Sequence, residues 1–178
     1  MGIYLSFPGA NINTKFGVYC KPASSIKYLT TDNLRAMGLK QIDYGTKEYQ
    51  QILDLRYAIL REPLGLGFKE EELQKEKDHV HIAAFEDDEL LGCCMLVEVS
   101  RDTLQLRQMA VKNNLQRKGI GASIISFAEK LSKDKGYKKI MMHARDSAIG
   151  FYEKFGYINN GKPFIEVNVP HHIMEKQL

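Results

Sequence analysis

Gln116-Arg117-Lys118-Gly119-Ile120-Gly121-Ala122-Ser123-Ile124 packs two cations, two glycines and the start of an apolar helical pattern into nine positions. Downstream, Ile120, Ile124, Ala128 and Leu131 recur at helical spacing and Gly136 supplies a stop, which predicts a helix from about Arg117 to Lys135. Upstream, Thr103 to Lys112 reads as a strand, so the stretch is a strand-to-helix junction. The first N–H groups of such a helix have no intrahelical partner, and the helix dipole adds partial positive charge. The junction is therefore a candidate anion site, with phosphate the usual occupant. Gly119 and Gly121 remove side chains where a ligand would approach the backbone, and Arg117 and Lys118 add whole charges. The dinucleotide pattern wants a third glycine where Ile124 stands, and the phosphate-loop ending Gly-Lys-Ser/Thr is absent.

Working outward, the strand before the junction carries a phase slip. Leu104 and Leu106 keep one parity, Met109 and Val111 the other. Either a β-bulge lies between them or Ala110 blurs the pattern. Two more strand-like runs precede it, Val80 to Glu86 and Glu89 to Val99, joined by turns short enough to imply antiparallel hairpins. Before these come a strand at Leu39 to Tyr44, a helix from Thr46 to Arg61, and a short charged helix at Lys69 to Lys77 that reads as a solvated face. After the junction helix follow a strand at Lys138 to His143, a helix at Ser147 to Phe155, and strand-like runs at Tyr157 to Asn159 and Phe164 to Met174. The order β-α-α-β-β-β-α-β-α-β-β predicts an α/β (α+β) fold on a mixed sheet with one βαβ crossover.

Residues 1 to 37 lack this patterning, apart from β-like runs at Ile3 to Phe7 and Phe16 to Cys20. They read as an N-terminal extension, a hairpin or an arm, ahead of a domain spanning 38–178. Met1 to Ser6 also fits the loose myristoylation pattern, a match that carries little weight by itself. The 178 residues suffice for one domain with a real core, and 44% hydrophobic with 26% charged residues is a soluble composition. A net charge of +3, from 25 basic and 22 acidic residues, argues against nucleic acid. The longest apolar run, Leu90 to Val97, is far short of the ~20 residues that span a bilayer, and no secretory signal is apparent. Cys20, Cys93 and Cys94 make a poor disulfide framework or zinc site, which points to a reducing, cytoplasmic compartment. His79 and His81 read as surface or edge-strand histidines, and no metal is expected.

Gln116-Arg117-Lys118-Gly119-Ile120-Gly121 fits the Gln/Arg-x-x-Gly-x-Gly/Ala motif of the GNAT-type acetyltransferase superfamily. Downstream, Ala148-Ile149-Gly150-Phe151-Tyr152-Glu153-Lys154-Phe155-Gly156-Tyr157 resembles that superfamily's A-x-x-F-Y-x-x-x-G-F/Y segment. The resemblance covers about residues 39 to 178 and implies a mostly antiparallel central sheet flanked by helices. The tail from Phe164 to His171 is similar to a subgroup with F-x-E-x-G-I-P-H, with Asn168 in place of the glycine.

The resemblance implies an N-acetyltransferase using acetyl-CoA on a primary amine of a small molecule or peptide, as a monomer or homodimer, with neither nucleic acid nor membrane as partner. A catalytically silent acyl-CoA-binding or regulatory module on the same fold is the alternative. It assigns the cofactor's pyrophosphate to the backbone of Gln116, Arg117, Lys118, Gly119, Ile120, Gly121 and Ala122. The pantetheine arm falls to Met109, Ala110 and Val111, with Lys112, Arg117 or Lys118 as the side chains that could reach the phosphates. Tyr152 would be the general acid for the leaving thiolate, and Glu98 or Glu166 the base. His171 would line the acceptor pocket. Arg145 occupies the place of an asparagine that often contacts CoA, so that contact is not carried over.

Overall fold

The computed structural model describes residues 37–178 and the backbone of Ile26–Lys27. The short N-terminal runs and the myristoylation pattern lie outside the described residues. The run Leu90 to Val97 is apolar throughout because its strand is covered on both faces. Leu91, Cys94 and Leu96 pack with Ile120, Ile124, Ile125 and Ala128 of the junction helix. Leu90 and Cys93 pack on the other face with Tyr49, Ile52 and Leu53 of the first helix. Burial pushes the Cys93 thiol up to about 12, so it is a small hydrophobe here rather than a nucleophile.

In chain order the strands are β1 (Ile26–Lys27), β2 (Met37–Ile42), β3 (Val80–Glu86), β4 (Glu89–Ser100), β5 (Thr103–Val111), β6 (Lys139–Arg145), β7 (Ile158–Asn159), β8 (Phe164–Glu166) and β9 (Val169–Gln177). The helices are α1 (Lys47–Arg56), α2 (Glu70–Gln74), α3 (Ile120–Asp134) and α4 (Ile149–Glu153). The sheet runs β1-β2-β3-β4-β5-β6-β9-β7, with β8 on β9. Every pair is antiparallel except β5 with β6, which α3 connects. This is the mixed, mostly antiparallel sheet the sequence predicts.

Three boundaries differ from expectation. The expected last run, Phe164 to Met174, is two strands, because Val167 and Asn168 both take left-handed φ (50° and 59°) and turn the chain between Glu166 and Val169. The helix expected from Arg117 begins at Ile120, since Arg117 and Gly119 also have positive φ (65° and 85°). The helix expected to reach Arg61 stops at Arg56 and continues as a π turn, Tyr57–Arg61, then a 3-10 turn, Glu62–Leu64.

The loop from residue 57 to 79 is fastened to the sheet by a buried polar cluster. Arg56 donates to both carboxylate oxygens of Glu76 at 2.8 and 2.7 Å, and the Tyr49 hydroxyl adds a third bond at 2.8 Å. His81 Nε2–H donates to the Glu76 backbone carbonyl at 3.0 Å. Burial drives the Glu76 carboxyl up, but the Arg56 guanidinium and the Tyr49 hydroxyl hold it below its ordinary range. Two expectations fall here. Glu76 belongs to a stretch that reads as a solvated face, yet it is buried because Arg56 partners it. His81 is buried on β3, an inner strand, rather than at an edge.

Candidate active site at the seam between β5 and β6

The parallel ladder between β5 and β6 has only three steps: Thr103 with Lys139, Leu104 with Ile140, and Gln105 with Met141. Beyond it the strands part, because β5 is bulged. Cys93 faces Ala110 while Met95 faces Arg107, so two steps on β4 oppose three on β5, and Gln108 takes a left-handed φ of 53°. An inserted residue bends its strand and raises the local twist. The phase slip between Leu106 and Met109 thus marks a real bulge. A cavity of about 650 Å³ opens at the parted ends. Its walls come from both strands, from Tyr152 on α4, from the β8–β9 hairpin, and from the loop of residues 57–79.

Beside the seam lies the 116–124 turn. Ser123 N–H makes the first intrahelical bond, to the Gly119 carbonyl at 3.0 Å. The amides of Lys118 to Ala122 therefore have no acceptor among the described residues. A Cβ built on Gly119 would meet nothing within 4 Å, so that glycine is required by its positive φ. Gly121 has a different reason: a Cβ there would lie 3.2 Å from Phe151 Cζ and 3.4 Å from Met109 Cε. Its missing side chain lets α3 sit on Phe151 and Met109. Arg117 and Lys118 are exposed and unpaired among the described residues. Lys112 is taken by Glu89 at 2.6 Å. Met109 lines the cavity; Ala110 and Val111 stand at the end of β5, paired only with β4.

Tyr152 reaches the cavity from α4, 6% exposed, its ring edge-on to Phe151 and Tyr157. Its hydroxyl has no partner among the described residues. Burial raises it well above an ordinary phenol, with Cys94 adding a smaller push, so Tyr152 stays protonated and is a donor rather than a base.

The two expected carboxylates part company. Glu166 lines the cavity, its Oε2 2.9 Å from His143 Nδ1. Glu98 does not: it is exposed on the opposite side of β4 from the cavity residue Val97, and accepts from the Tyr137 hydroxyl at 2.7 Å. His171 lines the cavity as expected, 8% exposed, donating from Nδ1 to the Val169 carbonyl at 2.8 Å. Arg145 Nη2 lies 3.4 Å from the Leu60 carbonyl of the π turn. His143 is the residue that motif reading passes over, although it stands near the carboxyl end of a parallel strand, where α/β sheets bind ligands. Among the described residues no cluster of three or more His, Cys, Asp or Glu could hold a metal, and no helix is long and apolar enough to cross a membrane.

Comparison with known proteins agrees with this geometry. The Bacillus subtilis protein YyaT is 28% identical over 98 residues, a stretch covering 55% of this chain and 66% of YyaT. The fold matches an aminoglycoside 6'-N-acetyltransferase complexed with coenzyme A, at TM-score 0.68 and 19% identity over 78% of this chain and 96% of that one. It also matches an acetyl-CoA-bound GNAT family acetyltransferase from Elizabethkingia anophelis, at TM-score 0.62 and 20% identity over 80% and 98% of the two chains. A family model described as an acetyltransferase (GNAT) domain matches residues 66–178, well over half of the sequence, and the chain belongs to that family of acetyltransferases.

Proposed function

We propose that this acetyltransferase moves an acetyl group from acetyl-CoA to a primary amine by direct attack of the amine on the thioester. The parted β5 and β6 beside a turn of unpaired amides carry the reading. Free N–H groups from Lys118 to Ala122, with unpaired Arg117 and Lys118 beside them, suit a pyrophosphate, and the strand end at Met109 to Val111, open on the side where β6 has parted from it, suits an extended arm bearing amide groups. An N–H there would polarise the thioester carbonyl as negative charge develops on its oxygen. Tyr152 would protonate the departing thiolate, and of the two expected carboxylates Glu166 is the one that lines the cavity. Residues 38–178 would form the catalytic domain and 1–37 an extension to it.

The test measures CoA release across a panel of primary amines, alongside acetyl-CoA affinity by calorimetry. Tyr152→Phe should keep affinity and lose about 10²–10⁴-fold in kcat, the usual worth of a general acid. An unchanged kcat would remove the acid role. Acetyl-CoA binding without transfer to any amine would favour the silent binding module instead.

A further inference from the structure

We infer that His143 is the general base of the transfer and that Glu166 acts through it. The assignment rests on the acetyl-transfer reading and names the group that touches the acceptor. An ionised carboxylate can only accept a hydrogen bond, so the 2.9 Å contact from His143 Nδ1 to Glu166 Oε2 places the ring proton on Nδ1. Nε2 then carries the lone pair, and it has no partner among the described residues. The ring orientation is fixed from a second side, because Phe164 meets it edge-on at 4.9 Å and 79°. His143 and Glu166 both line the cavity that Tyr152 enters. A base oriented by a third group is the arrangement that nucleophile activation requires, here with the substrate amine as nucleophile.

His171 is the rival, since its Nδ1–H is also committed and its ring also lines the cavity. What lies behind each ring separates them. His171 leans on the neutral carbonyl of Val169, whereas His143 has a carboxylate whose charge meets the imidazolium as it forms. Glu166 as a direct base is also less suited, because the Oε2 facing His143 is occupied.

The step balances as follows. From the neutral amine, the nitrogen lone pair forms the C–N bond to the thioester carbon and an N–H proton passes to His143 Nε2. The C–S bond breaks with its electron pair on sulfur, and the Tyr152 hydroxyl gives the thiolate its proton. The proton on His143 then returns to the Tyr152 phenolate through water, leaving amide and thiol.

The experiment uses the full chain with the same amine panel. His143→Ala and His143→Gln should each lower kcat by about 10²–10⁴-fold while acetyl-CoA affinity and melting temperature stay at wild-type values. Added imidazole should restore activity to His143→Ala and not to His143→Gln, whose side chain fills the space; a purely structural role for the ring gives no such rescue. Glu166→Gln should lower kcat by a smaller factor with the acetyl-CoA KM unchanged. Wild-type kcat in His143→Ala, no rescue by imidazole, or rescue of His171→Ala in its place would each overturn the base while leaving acetyl transfer standing. A wild-type chain that binds acetyl-CoA and acetylates no amine overturns both.

Discussion

β4 and β5 are joined by seven register pairs, β5 and β6 by three. On the closed side polar groups are spent on one another: Glu76 takes two bonds from Arg56 and one from Tyr49, and its carbonyl takes a fourth from His81. At the seam the Tyr152 hydroxyl, the Lys118 to Ala122 amides and His143 Nε2 remain without partners among the described residues. Both regions belong to one sheet, so the difference is not one of fold. The bonds among Arg56, Glu76 and Tyr49 hold the wall in place, although Arg56 Nε and His81 Nδ1 stay buried without a partner among the described residues, while the free groups of the seam stand where the strands part and a ligand can meet them.

The strongest way to break this contrast is to unbalance the closed side. Glu76→Ala leaves the Arg56 guanidinium, 1% exposed, without its counter-charge. Stranding a buried charge costs about 3–5 kcal/mol, or roughly 10 °C in melting temperature for a chain of this size. Thermal unfolding checks it, and a loss below about 1 kcal/mol would mean that the cluster does not hold the loop.

On the open side the sharper test is Gly119→Val. Nothing crowds a side chain there, so the cost is confined to forcing a β-branched residue to φ of 85°, about 1–3 kcal/mol. That strain should appear as a reshaped turn. Acetyl-CoA binding is expected to weaken at least tenfold while the chain stays folded, whereas Gly121→Ala should cost stability by pressing on Phe151. Calorimetric binding equal to wild type in Gly119→Val would remove the turn from the cofactor site.

A smaller effect comes from protonating the closed side. Burial holds His81 below the ordinary histidine value, more strongly than the nearby Glu76 raises it. Below that ordinary value, 6.5, the unfolded chain takes up a proton that the native chain resists, so stability is full above it and falls as the pH drops. His79 shifts in the same direction, again chiefly through burial. Stability should decline between pH 7.5 and 5.5, by up to about 1.4 kcal/mol per pH unit from His81, with melting temperature falling alongside, and His81→Gln should flatten the decline. An equal decline in that variant would clear His81 of the effect.

What the sequence displayed of this contrast depended on range. The bulge was visible as a parity slip between Leu106 and Met109, because alternation is a local property of a strand. The turn at 116–124 was visible because glycines and cations stand side by side. The Arg56–Glu76 bond spans 20 positions and the His143–Glu166 bond 23, and no local periodicity encodes such pairs. Hence Glu76 read as solvated, and His143 went unremarked beside better-known motifs. Glu98 and Glu166 were equivalent as candidates until the position of the seam showed which one faces it.

The β8–β9 turn was missed for a further reason, and it supplies the smallest test. Turns of this two-residue type favour Asn-Gly, since both central residues need positive φ, yet here they are Val167 and Asn168. Asn168 tolerates that region; Val167, β-branched, does not. Val167 also lines the cavity next to Glu166, the partner of His143. Strain kept beside a reactive group suggests that the turn is held for position rather than stability. Val167→Asn should therefore raise stability by about 1 kcal/mol, some 2–4 °C, because the strain is relieved. If the strained turn sets the placement of Glu166, the same variant should lose kcat with acetyl-CoA affinity unchanged, trading activity for stability. A gain in melting temperature with full activity would show that the turn only closes the hairpin, and that the seam's free groups are placed by the bulged strand alone.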